Sequence, residues 1–225
     1  EVGVFRQEFD GAQDYDFILR CCEQTEHIVH IPRVLYHWRA HPDSTAENPE
    51  SKRYAYDAGR KAVEAHYQTT GLEATVEDTE YYGIYRSRFV IKGNPLISIL
   101  ILNKDHVKDL RKCVESILEK SAYRNFEIII AENNSEEEET FQYYEYLKKT
   151  YPCVKVCVWK GEFNFSAINN FAAGYASGEY FLLLNNDIEV ISPSWLEEML
   201  GYCQRPDVGI VGAKLYYPDD TIQHA

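Results

Sequence analysis

No stretch of the 225 residues approaches the roughly 20 consecutive apolar residues that a membrane-spanning helix needs. No secretory-signal pattern opens the sequence either. Basic residues are scarce: 23 Lys and Arg stand against 36 Asp and Glu, a formal net charge of −13. That balance argues against a nucleic-acid footprint. The six cysteines (Cys21, Cys22, Cys113, Cys153, Cys157, Cys203) lack a zinc spacing, and they read as reduced thiols of a cytosolic protein. Neither GxGxxG nor a Walker A loop follows the first strong strand pattern, which disfavours dinucleotide and P-loop binding.

What is present falls into three textures. Residues 1–46 carry a helical segment, "DYDFILRCCEQT", a strand-like "HIVHI" at 27–31 and the aromatic-basic run "RVLYHWRAHPDST". Residues 47–95 are polar and Tyr-rich, with an expected helix near 51–69 ended by Gly71 and a strand "YGIYRSRFVI". From residue 96 apolar runs alternate with helical periods. Strands are expected at 96–102, 126–131, 154–158 and 180–184, and helices at about 106–119, 137–149 and 166–176. Unbroken apolar strands alternating with helices imply an α/β fold around a mostly parallel sheet.

Ligands of such sheets sit at the carboxyl ends of the strands. There the sequence places Asn103, Lys104, Asp105 and His106, then Glu132, Asn133, Asn134 and Ser135, then Asn185, Asn186 and Asp187. A turn or cap would explain any one cluster. Together on one edge they make a rim suited to a base, a ribose and a metal ion. Without a glycine loop, a bound diphosphate would need a divalent cation, Mn²⁺ or Mg²⁺, held by one or two side-chain oxygens and the phosphates themselves. Asp187 is the natural ligand, and Asn185, two residues earlier, would share its face if the chain were extended.

"ISILILNKDH", "FEIIIAENNS", "FNFSAINNFAAGYASGEYFLLLNNDIEV" and "WLEEMLGYCQRPDVGIVGAKLYYPDDTIQHA" resemble the nucleotide-binding half of family-2 glycosyltransferases, over nearly all of 96–225. The resemblance implies a GT-A-like (Rossmann-like) fold that binds a nucleotide-diphosphate-sugar donor. It casts Asn185-Asn186-Asp187 as the family's Asp-x-Asp motif, with Asp187 in the metal place and Asn185 a neutral departure. It also implies nucleotide contacts by Asn103, Asp105, Glu132, Asn133, Asn169 and Asn185.

A second match, "FDGAQDYDFILRCCEQTEHIVHIPRVLYHWRAHPDSTA" (9–46), is similar to the far end of a family-2 domain. There it makes Asp14 the candidate catalytic base of an inverting transfer, with N-capping as the alternative role. Asp16 reads as a dipole partner of the same helix, and His41 and His37 as candidates for metal or phosphate contact.

These motifs run in reverse order, since a family-2 domain begins with its nucleotide half. A tandem enzyme accounts for that: 1–46 would end one glycosyltransferase domain, 47–95 would connect, and 96–225 would begin the next. The piece would then be excised from a longer chain, with Asp14 and Asp187 in different active sites. A circularly permuted single domain is the competing arrangement, and segment exchange in a homodimer a third. The expected activity is sugar transfer with inversion to a glycan or lipid-linked acceptor in cell-surface polysaccharide synthesis, in the cytoplasm or peripherally at the inner membrane face. A nucleotidyltransferase of similar fold, or a non-catalytic glycan-binding or scaffold module, are the rival functions.

Overall fold

A computed structural model describes residues 2–37 and 52–224, so the candidate His41 lies outside the described residues. The chain divides into two compact units, Glu1–Val90 and Ile91–Ala225.

The first unit starts with a 3-10 turn, Gln7–Phe9, and helix α1, Gln13–Cys22. Helix α2 spans Arg53–Thr70 and stops at Gly71, whose φ of 71° is the left-handed conformation that ends helices. An antiparallel hairpin follows, β1 (Ala74–Asp78) with β2 (Tyr85–Phe89). α2 packs on both α1 and β1, burying Ala58, Ala62, Val63 and Val76. Asp16 is buried in α1 between two guanidinium groups. Arg20 Nε donates to its Oδ2 at 3.0 Å, and Arg6 donates to both oxygens. Burial pushes this carboxyl's pKa up, but the bonds from Arg6 and Arg20 outweigh it and the net shift is downward. Its role is that of a buried ion-paired anchor.

The strand expected at 27–31 does not form. Ile28 and Val29 are exposed, and the segment joins no ladder among the described residues. Branched residues favour a strand only where a neighbouring strand takes up their backbone groups.

The second unit carries the alternation. Its order is β3 (Ile97–Asn103), α3 (Val107–Lys120), β4 (Phe126–Asn133), α4 (Glu138–Thr150), β5 (Val154–Trp159), α5 (Phe165–Ala173), β6 (Tyr180–Leu184) and α6 (Trp195–Cys203). A short antiparallel pair ends it, β7 (Leu215–Tyr216) with β8 (Ile222–His224). The main sheet is fully parallel, in the order β5-β4-β3-β6. Alternate residues of β3 and β4 serve opposite layers. Ile97, Ile99, Ile101, Phe126, Ile128 and Ile130 pack with α3, α4 and α6, whereas Leu100, Ile129 and Ala131 pack with α5. Each fully buried Ile or Leu contributes about 1.5–3 kcal/mol.

After α5 the chain recrosses the sheet, and β6 pairs with β3 rather than β5. Gly178 makes that return. A Cβ there would lie 2.6 Å from both Leu96 O and Ser98 Oγ. Gly178 N instead donates to Ser98 Oγ at 2.9 Å, and Ser98 Oγ donates to the buried Glu127 at 2.7 Å. Glu127 also accepts from Ser177 N and pairs with Lys155 at 2.7 Å. Burial raises the Glu127 pKa, yet Lys155, the Ser177 amide and Ser98 together hold it below the ordinary glutamate value.

Gly178→Ala should therefore destabilise the chain by about 1–3 kcal/mol in urea unfolding, since its methyl meets backbone that cannot yield. Gly212→Ala, with open space around it, should be near neutral. Equal stabilities for the two variants would contradict the close approach at Gly178.

Candidate functional site

β3 and β6 lie at the point where strand order reverses, and three polar strand ends converge on that edge. Asn103 closes β3 and is 2% exposed; Glu132 and Asn133 close β4 at 2% and 4%. Such burial requires internal partners, and each side chain has them.

Glu132 accepts from Ser135 N at 2.5 Å, from Ser135 Oγ at 2.6 Å and from the hydroxyl of Tyr144 at 2.6 Å. Asn103 Nδ2 donates to Tyr144 Oη at 2.7 Å and to Asp105 O at 2.9 Å. Asp105 N donates to Ser135 Oγ at 2.8 Å. Glu132, Ser135, Asp105, Asn103 and Tyr144 thus form a closed ring of hydrogen bonds. Tyr144 reaches it from α4, and burial, then the Glu132 carboxylate, push its hydroxyl pKa up.

Asp105 has a further task. Its Oδ1 accepts from Glu136 N at 2.8 Å and Glu137 N at 2.9 Å, tying the β3–α3 loop to the start of α4. The Glu137 amide is the main cause of its lowered pKa. Burial opposes it, and the Glu136 amide with the charges of Lys104 and His106 help the net shift stay downward. Asp105 and His106 both sit at φ 51°. Such consecutive left-handed residues persist only where surrounding bonds fix them.

Asn133 Nδ2 and Asn134 Nδ2 donate to Gly161 O at 3.2 and 2.9 Å, folding the β5–α5 loop against the end of β4. A Cβ at Gly161 would lie 2.9 Å from the Trp159 ring. Asn164 caps α5, its side chain accepting from Ala167 N at 2.9 Å. Asn169 is buried in α5 and donates to Phe165 O at 2.9 Å.

The end of β6 differs in character. Asn185 and Asp187 are exposed, with Asn186 half-buried between them. Residues 186 and 187 form a turn, so the alternation of an extended chain does not relate Asn185 to Asp187. Asn186 Nδ2 donates to Asn103 Oδ1 at 2.6 Å, which joins this turn to the ring. Helix α3 clamps the segment that follows. The buried Cys113 thiol donates to Asn185 O at 3.6 Å, and Val190 N donates to Ser116 Oγ at 3.1 Å. Burial drives the Cys113 pKa up to about 12, so this thiol is a packing and hydrogen-bonding group rather than a nucleophile. Lys112 and Lys120 both pair with Glu189, at 2.7 and 2.8 Å, and Lys120 also donates to Val190 O at 3.0 Å.

Among the described residues no group of three or more His, Cys, Asp or Glu side chains could enclose a metal ion. The exposed Asp187 carboxylate beside a neutral Asn185 is instead a sparse set of hard oxygen donors. That set suits Mg²⁺ or Mn²⁺ when water and substrate phosphates complete the shell. Asp14 belongs to the first unit, exposed in the opening turn of α1, where Ala12 rather than Asp14 is the cap residue. Its Oδ1 accepts from Tyr15 N at 2.9 Å. His37 is exposed.

Sequence reasoning did not single out Tyr144, Cys113 or Ser116. The available signal for Tyr144 was a tyrosine on the apolar face of an amphipathic helix, where a buried hydroxyl requires a partner.

A profile described as Glycosyl transferase family 2 matches residues 98–224. The chain is 47% identical over 228 residues to the uncharacterised protein y4gI of Sinorhizobium fredii (strain NBRC 101917 / NGR234), covering 100% of this chain and 25% of that protein. It is 41% identical over 225 residues to the O-antigen biosynthesis protein RfbC of Myxococcus xanthus, covering 100% of this chain and 17% of that protein. The chain therefore spans a quarter or less of these relatives. In three dimensions it is similar to the mannosyltransferase PcManGT of Pyrobaculum calidifontis, solved in complex with GDP-Man and Mn²⁺. The TM-score is 0.51 at 15% identity, over 76% of this chain and 48% of the other. That likeness shows a shared GT-A-type fold.

The Glu189 clamp is directly measurable. Bonds from Lys112 and Lys120 depress the Glu189 pKa to about 2. Any stability it contributes is thus present above the ordinary glutamate range and lost only as pH falls toward the depressed value. In an NMR titration Glu189 should titrate far below the other exposed glutamates, and Lys120→Met should bring it back toward them. A normal Glu189 titration in the unmodified chain would contradict the clamp.

Proposed function

The chain belongs to glycosyl transferase family 2, and from that premise we propose that residues 96–225 form the donor half of a metal-dependent sugar transferase. The observation carrying this reading is the exposed Asp187 carboxylate on the one sheet edge where the ends of β3, β4 and β6 meet. A nucleotide-diphosphate sugar would lie along that edge. Asp187, with Asn185, would hold a divalent cation against the diphosphate. When bound, such a cation neutralises the charge that develops on the leaving diphosphate.

The buried ring built on Glu132 and Asn103 sets the depth and shape of the edge, leaving exposed groups such as Lys104 and Asn185 to meet the ligand. Asn133 and the Gly161 loop would border the base. PcManGT carries GDP-Man and Mn²⁺, which supports a nucleotide-sugar donor and a divalent cation here. The name of the Myxococcus relative, an O-antigen biosynthesis protein, supports a place in surface polysaccharide synthesis, for which we propose a glycan or lipid-linked acceptor.

Asp14 is assigned the role of an inverting base in a separate site to which the first unit contributes. A carboxylate there would take the acceptor hydroxyl's proton as the oxygen attacks the anomeric carbon. In this tandem arrangement 1–46 closes one transferase domain, 47–95 connects and 96–225 opens the next. Among the described residues no helix is long and apolar enough to cross a membrane.

The test is thermal unfolding with Mn²⁺ and a panel of nucleoside diphosphates. One diphosphate should stabilise the chain by about 2–3 kcal/mol at a hundredfold excess over its Kd. Asp187→Asn should abolish the Mn²⁺-dependent part. If no diphosphate stabilises the chain, or Asp187→Asn responds like the unmodified chain, the reading fails.

A further inference from the structure

Tyr144 comes from the middle of α4, outside the strand-end clusters, yet it occupies the centre of the polar edge. Its hydroxyl has a single proton. The Glu132 carboxylate can only accept, so that proton points at Glu132 Oε2, and the Tyr144 oxygen takes its own bond from Asn103 Nδ2. The amide nitrogen of Asn103 is then committed to Tyr144 and to Asp105 O. Asn103 can offer only Oδ1 toward β6, and the bond there must be donated by Asn186 Nδ2. Every donor and acceptor choice from Glu132 to the turn after β6 follows from one carboxylate. Buried bonds in such a chain also strengthen one another by polarisation.

We propose that Tyr144 is a positioning residue for the Asp187 carboxylate, acting through Asn103 and Asn186. Asn186, which a sequence motif leaves as a mere spacer, is the link. Its 2.6 Å bond to Asn103 fixes the turn on the sheet side, while α3 holds the residues that follow. Removing the Tyr144 hydroxyl takes a donor from Glu132 and an acceptor from Asn103. The Asn103 Nδ2 then keeps only its bond to Asp105 O, and the seat of the turn on Asn103 Oδ1 loosens. The consequence for metal and diphosphate binding rests on the transferase reading; the relay itself does not.

The test starts without ligand. In ¹⁵N-labelled Tyr144→Phe, the side-chain NH₂ signals of Asn186 should move to the position of a solvent-exposed amide. Backbone amide signals of 186–188 should shift with them, while β3 and β4 keep their protection from exchange. Unchanged Asn186 signals in a folded Tyr144→Phe chain would overturn the proposal. Should that variant not fold, Asn186→Ala reads the relay from its other end. Asn186→Ala should shift the ¹³Cζ signal of Tyr144, and no shift would overturn the proposal equally.

A second arm measures Mn²⁺ binding by electron paramagnetic resonance, with the metal as the only probe. Tyr144→Phe should weaken it about tenfold, as loss of a group supporting a metal ligand does; a merely structural tyrosine would leave it unchanged. A native chain that takes up no Mn²⁺, either alone or with a nucleoside diphosphate present, counts against the transferase reading, and the Asn186 signals still decide the relay.

Discussion

The pairing of β6 with β3 is the constraint on which the rest depends. Without it, the ends of β3 and β4 would be two polar loops and Asp187 an isolated carboxylate. The pairing is secured at both ends by short-range polar contacts. At the amino end, Gly178 lets the backbone pass against Leu96 and Ser98, with Glu127 underneath as acceptor. At the carboxyl end, Asn186 hangs on Asn103. Between these anchors only five residue pairs join the strands, Ile97↔Tyr180 through Ile101↔Leu184. So short a ladder gains much of its definition from its ends.

Buried and exposed carboxylates divide the labour. Asp16, Glu127 and Glu132 are all buried, and each is surrounded by donors: two arginines for the first, a lysine, a serine and an amide for the second, a serine and a tyrosine for the third. Removing one partner of such a group leaves a desolvated charge, which costs far more than the bond contributes. These groups build the scaffold. Asp187 stands in water, and that availability suits a group meant to meet a ligand.

The second unit was legible because its strands are buried on both faces. "LISILIL" and "FEIIIA" admit no other reading at that length, and each helix between them shows its period. β1 was missed because "ATVED" buries only Val76, too little alternation to notice. "HIVHI" misled for the opposite reason: its composition is that of a strand, but pairing is a tertiary fact.

In the candidate site, the rim of strand ends could be read from chain position alone. Which of its members face inward could not. Asn103 and Asp105 read as ligand contacts, yet Asn103 is buried with its amide committed and Asp105 caps backbone of the α4 approach. Tyr144 lies 41 residues from the Asn103 it holds, a distance at which no local pattern speaks.

The most direct measurement is amide chemical-shift mapping as Mg²⁺ and a nucleoside diphosphate are added. If three strand ends form one site, the perturbed amides cluster together at 103–106, 132–135 and 185–187, saturating with one affinity. Perturbations confined to a single loop, or appearing only in the first unit, would contradict it.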